Sequence, residues 1–280
     1  MNLIARLNEE DKSVQIYGQL IHNRSVLKSL EEKGNTCVET LAEIQPGKPL
    51  IIRTHGIPRD IENKLREEKI EIIDAACPFV KKIHHIIEKI DSRNKPVIIV
   101  GDKNHPEIIA AKSYLPEARV INSIEEVSRL QKSKTISVIA QTTLNSEFFK
   151  QVTAALLDKA EKLEIYNTIC NATRIRQEAI KKLAPQVDFI VVIGGKNSSN
   201  TRKLFEIALG KNPNTFLIEK SSELYNPDFI DRISFFRSVG ITAGASTPPD
   251  EIGKVKEFFK NIENIAKEIK NGRTKRNTQH

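Results

Sequence analysis

Residues 189–209 read FIVVIGGKNSSNTRKLFEIAL, and this stretch decides the fold class. It opens with an apolar run, Phe189–Ile193, rich in Val and Ile and only a few residues long, as buried parallel strands are. Gly194 and Gly195 follow, then a polar cluster, then a helical pattern from Thr201 to Leu209. The same plan recurs along the chain. Strands are expected at Ser13–Tyr17, Leu50–Arg53, Glu71–Ile73, Val97–Val100, Arg119–Ile121, Ile136–Ala140, Thr215–Ile218 and Val239–Thr242. Helical patterns fall between them at Asp60–Glu68, Phe79–Ser92, Ser146–Lys162, Ala172–Ala184 and Pro249–Lys270. Such alternation means an α/β protein with mainly parallel sheets.

A polar cluster follows each apolar strand. The clusters include His22-Asn23, Thr54-His55-Gly56, Ala76-Cys77-Pro78, Asn104-His105-Pro106-Glu107, Gln141-Thr142-Thr143 and Ala245-Ser246-Thr247. Ligands of α/β sheets bind beyond the carboxyl ends of the strands. The clusters are therefore expected to converge on one site, provided that several small sheets face each other.

Several residues in these clusters carry usable chemistry. In Gly194–Asn200 the glycines permit a tight turn. Ser198, Ser199 and Asn200 stand at a helix start, where side-chain hydroxyls, amides and free backbone N–H groups favour an anion. Plain N-capping by Ser199 or Asn200 explains a single polar residue there, but not a packed run of them. A second turn, Ala243–Asp250, places Ser246 before a proline-started helix. Two such turns can hold a diphosphate. Of six histidines, His22, His55 and His105 each sit just past a strand, suited to phosphate or alcohol oxygens. Glu107 reads either as a first-turn glutamate favoured by the helix dipole or as a general acid with Thr142 as proton relay. Cys77 and Cys170 each precede a helix, an environment that suits a thiolate metal ligand. Cys37, in NTCVET, reads as a small apolar side chain in a strand.

Composition narrows the class. The chain has 280 residues, 39% hydrophobic and 29% charged, the mixture of a globular protein. No apolar run approaches the length of a transmembrane helix, and MNLIARLNEEDK has no signal-peptide core, so a cytoplasmic protein is expected. The three cysteines fit no CxxC spacing, and disulfides are not expected in that compartment. The net charge of +8 admits a nucleic-acid binder, but no recognition motif occurs. With 11 Phe, 4 Tyr and no Trp the chain also offers few stacking platforms. A basic interior also suits an anionic substrate.

The stretches LIHNR (20–24), RTHGIP (53–58), DAACPFV (74–80), GDKNHPE (101–107), AQTTL (140–144), TICNATRIRQEA (168–179), VIGGKNSSNTRKL (192–204) and ITAGASTPP (241–249) together carry a resemblance. In order and rough spacing the chain resembles the 4-hydroxy-3-methylbut-2-enyl diphosphate reductase family. The resemblance implies a trefoil of three small α/β domains around a central cavity. These would be residues 1–77, 78–169 and 170–268, with a basic tail at 269–280. It implies a 4Fe–4S cluster, with Cys77 and Cys170 matching two of its ligands. His22, His55, His105, Thr142, Ser198, Ser199, Asn200 and Ser246 match substrate-binding positions, and Glu107 matches the proton donor. The implied reaction is reductive dehydroxylation of the allylic diphosphate to isopentenyl and dimethylallyl diphosphate. Its electrons come from a ferredoxin- or flavodoxin-type donor, and neither nucleic acid nor membrane is implied as a partner.

The family pattern begins with a strand and a GFCxGV-type turn whose cysteine is the third cluster ligand. Here the first family-like element is Val14–Asn23, so a preceding segment is expected to be missing from residues 1–280. Two thiolates anchor such a cluster poorly, and residues 1–280 alone are expected to retain it weakly and turn over slowly. A degenerate paralogue that binds a diphosphate without redox turnover is the alternative within the family. A basic nucleic-acid-binding protein is the alternative outside it.

Overall fold

A computed structural model describes residues 13–18, 32, 34–90, 95–233 and 235–262. His22, residues 263–270 of the last expected helix and the basic tail lie outside the described residues. The chain divides into two compact units, Met1–Asn171 and Ala172–His280.

The first unit holds two four-stranded sheets, parallel throughout. The first sheet contains β1 (Gln15–Tyr17), β2 (Thr36–Val38), β3 (Leu50–Ile52) and β4 (Ile72–Asp74), in the order β2-β1-β3-β4. Helix α1 (Arg59–Glu67) connects β3 to β4, and α2 (Pro78–Lys89) leaves β4. The second sheet contains β5 (Val97–Val100), β6 (Arg119–Ile121), β7 (Ser133–Ala140) and β8 (Ala160–Tyr166), in the order β6-β5-β7-β8. Its connections carry α3 (Pro106–Tyr114), α4 (Ile124–Ser128) and α5 (Ser146–Leu156).

Side-chain alternation assigns the faces of the second sheet. Ile98 and Val100 pack with Val138 and Ala140 against Phe149, Val152 and Leu156 of α5. Val97 and Ile99 face the other way, against Ile83 and Ile87 of α2 and Ile108 and Ala111 of α3. All four residues of β5 are buried. At about 1.5–3 kcal/mol per buried aliphatic side chain, two-sided burial rather than strand length holds so short a strand in place. One consequence positions the site. Helix α2 begins at the end of a first-sheet strand, yet packs beside α3 on the second sheet.

The second unit begins within α6 (Asn171–Leu183) and is built on β9 (Phe189–Ile193), β10 (Thr215–Ile218) and β11 (Val239–Ala243). These strands form a parallel sheet in the order β10-β9-β11. Helices α7 (Ser199–Leu209), α8 (Pro227–Ile233) and α9 (Pro249–Lys260) complete it. Ile190 and Val192 pack toward α6 and α7, whereas Phe189, Val191 and Ile193 pack toward α8 and α9. The α/β class with mainly parallel sheets holds throughout the described residues.

The structure differs from the expected elements in three places. The helix expected over Ser146–Lys162 ends at Leu156, and the chain passes through a short 3-10 turn into strand β8. The sequence AEKLEIY is rich in helix formers, but as an edge strand paired only with β7 it leaves Glu161, Lys162 and Ile165 to solvent. Helices α4 and α8 were not expected, because 5 and 7 residues carry too little periodic pattern.

Candidate active site

Four of the polar clusters expected beyond strand ends are tied together in the first unit. After β3, the Thr54 carbonyl accepts a hydrogen bond from the Cys77 amide at 2.9 Å. Cys77 is the residue that caps α2, and Pro78 at the first helical position preorganises its start. Beside Thr54, the ring of His55 meets that of His105 edge-on, with centroids 5.1 Å apart at 86°.

His105 caps α3. Its Nδ1 accepts the Glu107 backbone N–H at 3.2 Å, so in the neutral ring the proton sits on Nε2. Glu107 in turn reaches the cluster after β7. Its Oε1 accepts the Thr142 backbone N–H and its Oε2 accepts the Thr142 hydroxyl, both at 2.6 Å. The Thr142 carbonyl then accepts the Cys170 amide at 3.0 Å. An unbroken series of contacts thus runs from Cys77 through Thr54, His55, His105, Glu107 and Thr142 to Cys170.

Glu107 is the electrostatic centre of this series. It is 1% exposed. Burial drives its carboxyl up to about 7, and the two hydrogen bonds from Thr142 oppose that rise without cancelling it. A carboxyl near neutrality holds or yields a proton with little cost, which is the property a general acid needs.

The fold keeps these groups close by design of the backbone. A Cβ on Gly101 would come within 2.8 Å of both Gln141 Oε1 and Ile108 Cδ1. Glycine there lets the turn after β5 lie against the turn after β7, and the Asp102 N–H donates to Gln141 Oε1 at 3.0 Å. Thr168, which sequence reasoning did not single out, bonds both the Ala140 N–H and the Ala140 carbonyl through its hydroxyl, and so fixes the approach to Cys170. A lone threonine in a loop gives no sequence signal of that role.

Both cysteines are half-buried, and no cysteine of the chain forms a disulfide. Cys77 caps α2, Cys170 directly precedes α6, and each amide is anchored to a strand-end carbonyl, which leaves its thiol as the ligating group. That fits two thiolate ligands of an iron–sulfur site. Among the described residues no group of three or more His, Cys, Asp or Glu is placed to hold a single metal ion. Cys37 lies elsewhere, in β2 beside Ile16 of β1.

The second unit carries the anion turns. Ser198 caps α7, accepting the Thr201 N–H on its Oγ at 3.4 Å. Ser199 and Asn200 begin the helix. Asn200 is 6% exposed, and neither its side-chain oxygen nor its nitrogen has a hydrogen-bond partner. Ser246 is half-buried in the turn after β11. That turn is fastened to β9, because the Gly244 N–H donates to the Ile193 carbonyl at 2.8 Å and the Thr247 hydroxyl to the same oxygen at 2.9 Å. The two anion turns expected from the sequence are therefore neighbours. His84 lies beside the turn after β3, where a Cβ on Gly56 would come within 2.9 Å of its ring, and it stacks on Tyr114 with centroids 4.3 Å apart.

Known proteins share this plan. The family model described as LytB protein matches residues 1–260. The 4-hydroxy-3-methylbut-2-enyl diphosphate reductase of Aquifex aeolicus is 40% identical over 260 residues, covering 91% of this chain and 88% of the relative. The protein of the same name from Nitratiruptor sp. is 38% identical, covering 92% and 93%. Among solved structures, one of (E)-4-hydroxy-3-methyl-but-2-enyl diphosphate reductase, described as the terminal enzyme of the non-mevalonate pathway, is 38% identical. It covers 92% of this chain and 93% of its own, at a TM-score of 0.64. The structure of the E-1-hydroxy-2-methyl-but-2-enyl-4-diphosphate reductase from Plasmodium falciparum is 26% identical, with 91% and 81% covered and a TM-score of 0.84. Similarity of this extent, in sequence and in fold alike, places the chain: it belongs to the LytB protein family.

Proposed function

We propose that this chain reduces 4-hydroxy-3-methylbut-2-enyl diphosphate to isopentenyl and dimethylallyl diphosphate, and that it does so in the cytoplasm. The relatives from Aquifex aeolicus and Nitratiruptor sp., 40% and 38% identical, carry the name of that reductase. The observation that supports it most directly is a buried carboxyl near neutrality, hydrogen-bonded twice to the residue whose carbonyl anchors Cys170.

Cys77 and Cys170 would hold a 4Fe–4S cluster, which when bound supplies a Lewis-acidic iron and a route for single electrons. Replacing the allylic hydroxyl by hydrogen takes two electrons and two protons and releases one water. The electrons come from a ferredoxin- or flavodoxin-type donor. Glu107 delivers the proton that lets the hydroxyl leave as water; the Thr142 N–H can only donate and keeps Oε1 an acceptor, so the acidic proton belongs on Oε2, where the Thr142 hydroxyl can turn to accept it. His55 and His105 stand at neighbouring strand ends to bond substrate oxygens. His22 is assigned to the same role from the family pattern alone. Ser198, Ser199 and Asn200 at the start of α7, with Ser246, bind the diphosphate through hydroxyls, an amide and helix N–H groups. The three-domain division at residues 77/78 and 169/170 belongs to the same reading.

The test is anaerobic incubation of the iron-loaded protein with the hydroxylated diphosphate and a chemical one-electron reductant. Isopentenyl and dimethylallyl diphosphate are expected. Unchanged substrate from protein with intact cluster absorption would overturn the proposal.

A further inference from the structure

Thr201 is the third residue of α7, and its side chain lies between the two anion turns. A Cβ on Gly194 would come within 2.7 Å of Thr201 Oγ1, and a Cβ on Gly244 would overlap the same oxygen. Gly194 belongs to the turn after β9 and Gly244 to the turn after β11. Both positions lack a side chain where the threonine fills the space. Gly194 also adopts φ +146°, a backbone conformation that L side chains rarely take. The Thr201 side chain and the two glycines thus form one wedge that sets the separation of the turns.

Shape alone does not call for a hydroxyl. Thr201 is fully buried, and its Oγ1 has no hydrogen-bond partner. Neither do Oδ1 and Nδ2 of Asn200, the preceding residue, which is 6% exposed. Buried polar atoms without partners are costly and rare. Here three of them adjoin the N-terminus of an eleven-residue helix, where backbone N–H groups already favour an anion. Valine would fill the same volume as Thr201 without the cost of a buried, unpaired hydroxyl.

We infer that Thr201 is a positioning residue for the diphosphate. Its side chain spaces the turns after β9 and β11, and its hydroxyl, with the Asn200 amide, completes the hydrogen bonding of the anion-loaded site. The inference rests on the diphosphate reading above and adds a residue to it that the turn motif does not reveal.

The test compares the chain with its Thr201→Val and Thr201→Ser variants. Thermal unfolding and calorimetric titration are run with and without inorganic pyrophosphate, alongside steady-state kinetics. Without pyrophosphate, Thr201→Val is expected to melt at or above the wild type. Its affinity for pyrophosphate is expected to fall about tenfold, equivalent to about 1.4 kcal/mol. KM should rise with kcat largely kept. Thr201→Ser restores the hydroxyl and should bind within about twofold of the wild type, a small fraction of that same tenfold step. Wild-type affinity in Thr201→Val would overturn the inference. So would a melting point well below wild type in the absence of anion, since the hydroxyl would then be a structural bond. A wild-type chain that binds no pyrophosphate would sink the diphosphate reading itself, and this inference with it.

Discussion

Burial and hydrogen bonding pull the Glu107 carboxyl in opposite directions. Loss of solvent disfavours the carboxylate, while the Thr142 N–H and hydroxyl both stabilise it, and burial prevails. The folded carboxyl titrates at about 7 against an ordinary 4.5, so folding favours the protonated form. The resulting stabilisation is complete below about 4.5 and is lost as pH rises through about 7. Glu107→Gln has nothing to titrate there. Urea unfolding across this window should show the stability of wild type falling relative to Glu107→Gln by on the order of 3 kcal/mol. A constant difference between the two proteins would contradict a buried acid at this position. Cys77, His105, Glu107, Thr142 and Asn200 were legible in the sequence because each directly follows a strand or opens a helix. Thr168 and Thr201 were not. Their roles depend on which loop lies opposite, and residue type and spacing do not encode that.

Short strands and helix starts do most of the positioning at the next scale. Strand β5 aims the His105–Glu107 turn, and β7 aims Gln141–Thr142. Their contact depends on the missing side chain at Gly101. Gly101→Ala would press a methyl onto Gln141 and Ile108 at 2.8 Å. A cost of about 1–3 kcal/mol is expected from such overpacking. A lower urea midpoint and weaker turnover should appear together, because Ile108 adjoins Glu107. Unchanged stability would mean that the turns tolerate separation and that the packing account is wrong. The buried strands were readable as apolar runs, since two-sided burial leaves little ambiguity. Strand β8 was not, because an edge strand with exposed Glu161 and Lys162 carries the composition of a helix. Helix α2 was readable as a helix. That it leaves the first sheet and packs on the second follows only from the folded contacts of Ile83 and Ile87.

Over the whole molecule, repetition made the class legible: strand, polar turn and helix recur until three parallel sheets are built. The cysteines show what repetition leaves out. They lie far apart in the chain, and contacts through Thr54, His55, His105, Glu107 and Thr142 link them. Cys77→Ser and Cys170→Ser should each lower iron content and visible absorption while the far-ultraviolet circular dichroism stays unchanged. Cys37→Ser, in strand β2, should retain the iron of the wild type. Equal iron in all three variants would remove Cys77 and Cys170 from the cluster. Among the described residues no helix is long and apolar enough to cross a membrane.

Proton donation by Glu107 to a departing hydroxyl is read from the turnover of Glu107→Gln. Iron-loaded wild type and variant would be given the same substrate and one-electron reductant, and product formation followed across pH. A loss of at least about 100-fold is expected in the variant at equal iron content, in the range for removing a general acid. Wild-type turnover should also fall as pH rises through about 7, where Glu107 loses its proton. A Glu107→Gln variant that turns over at the wild-type rate would contradict proton donation by this residue.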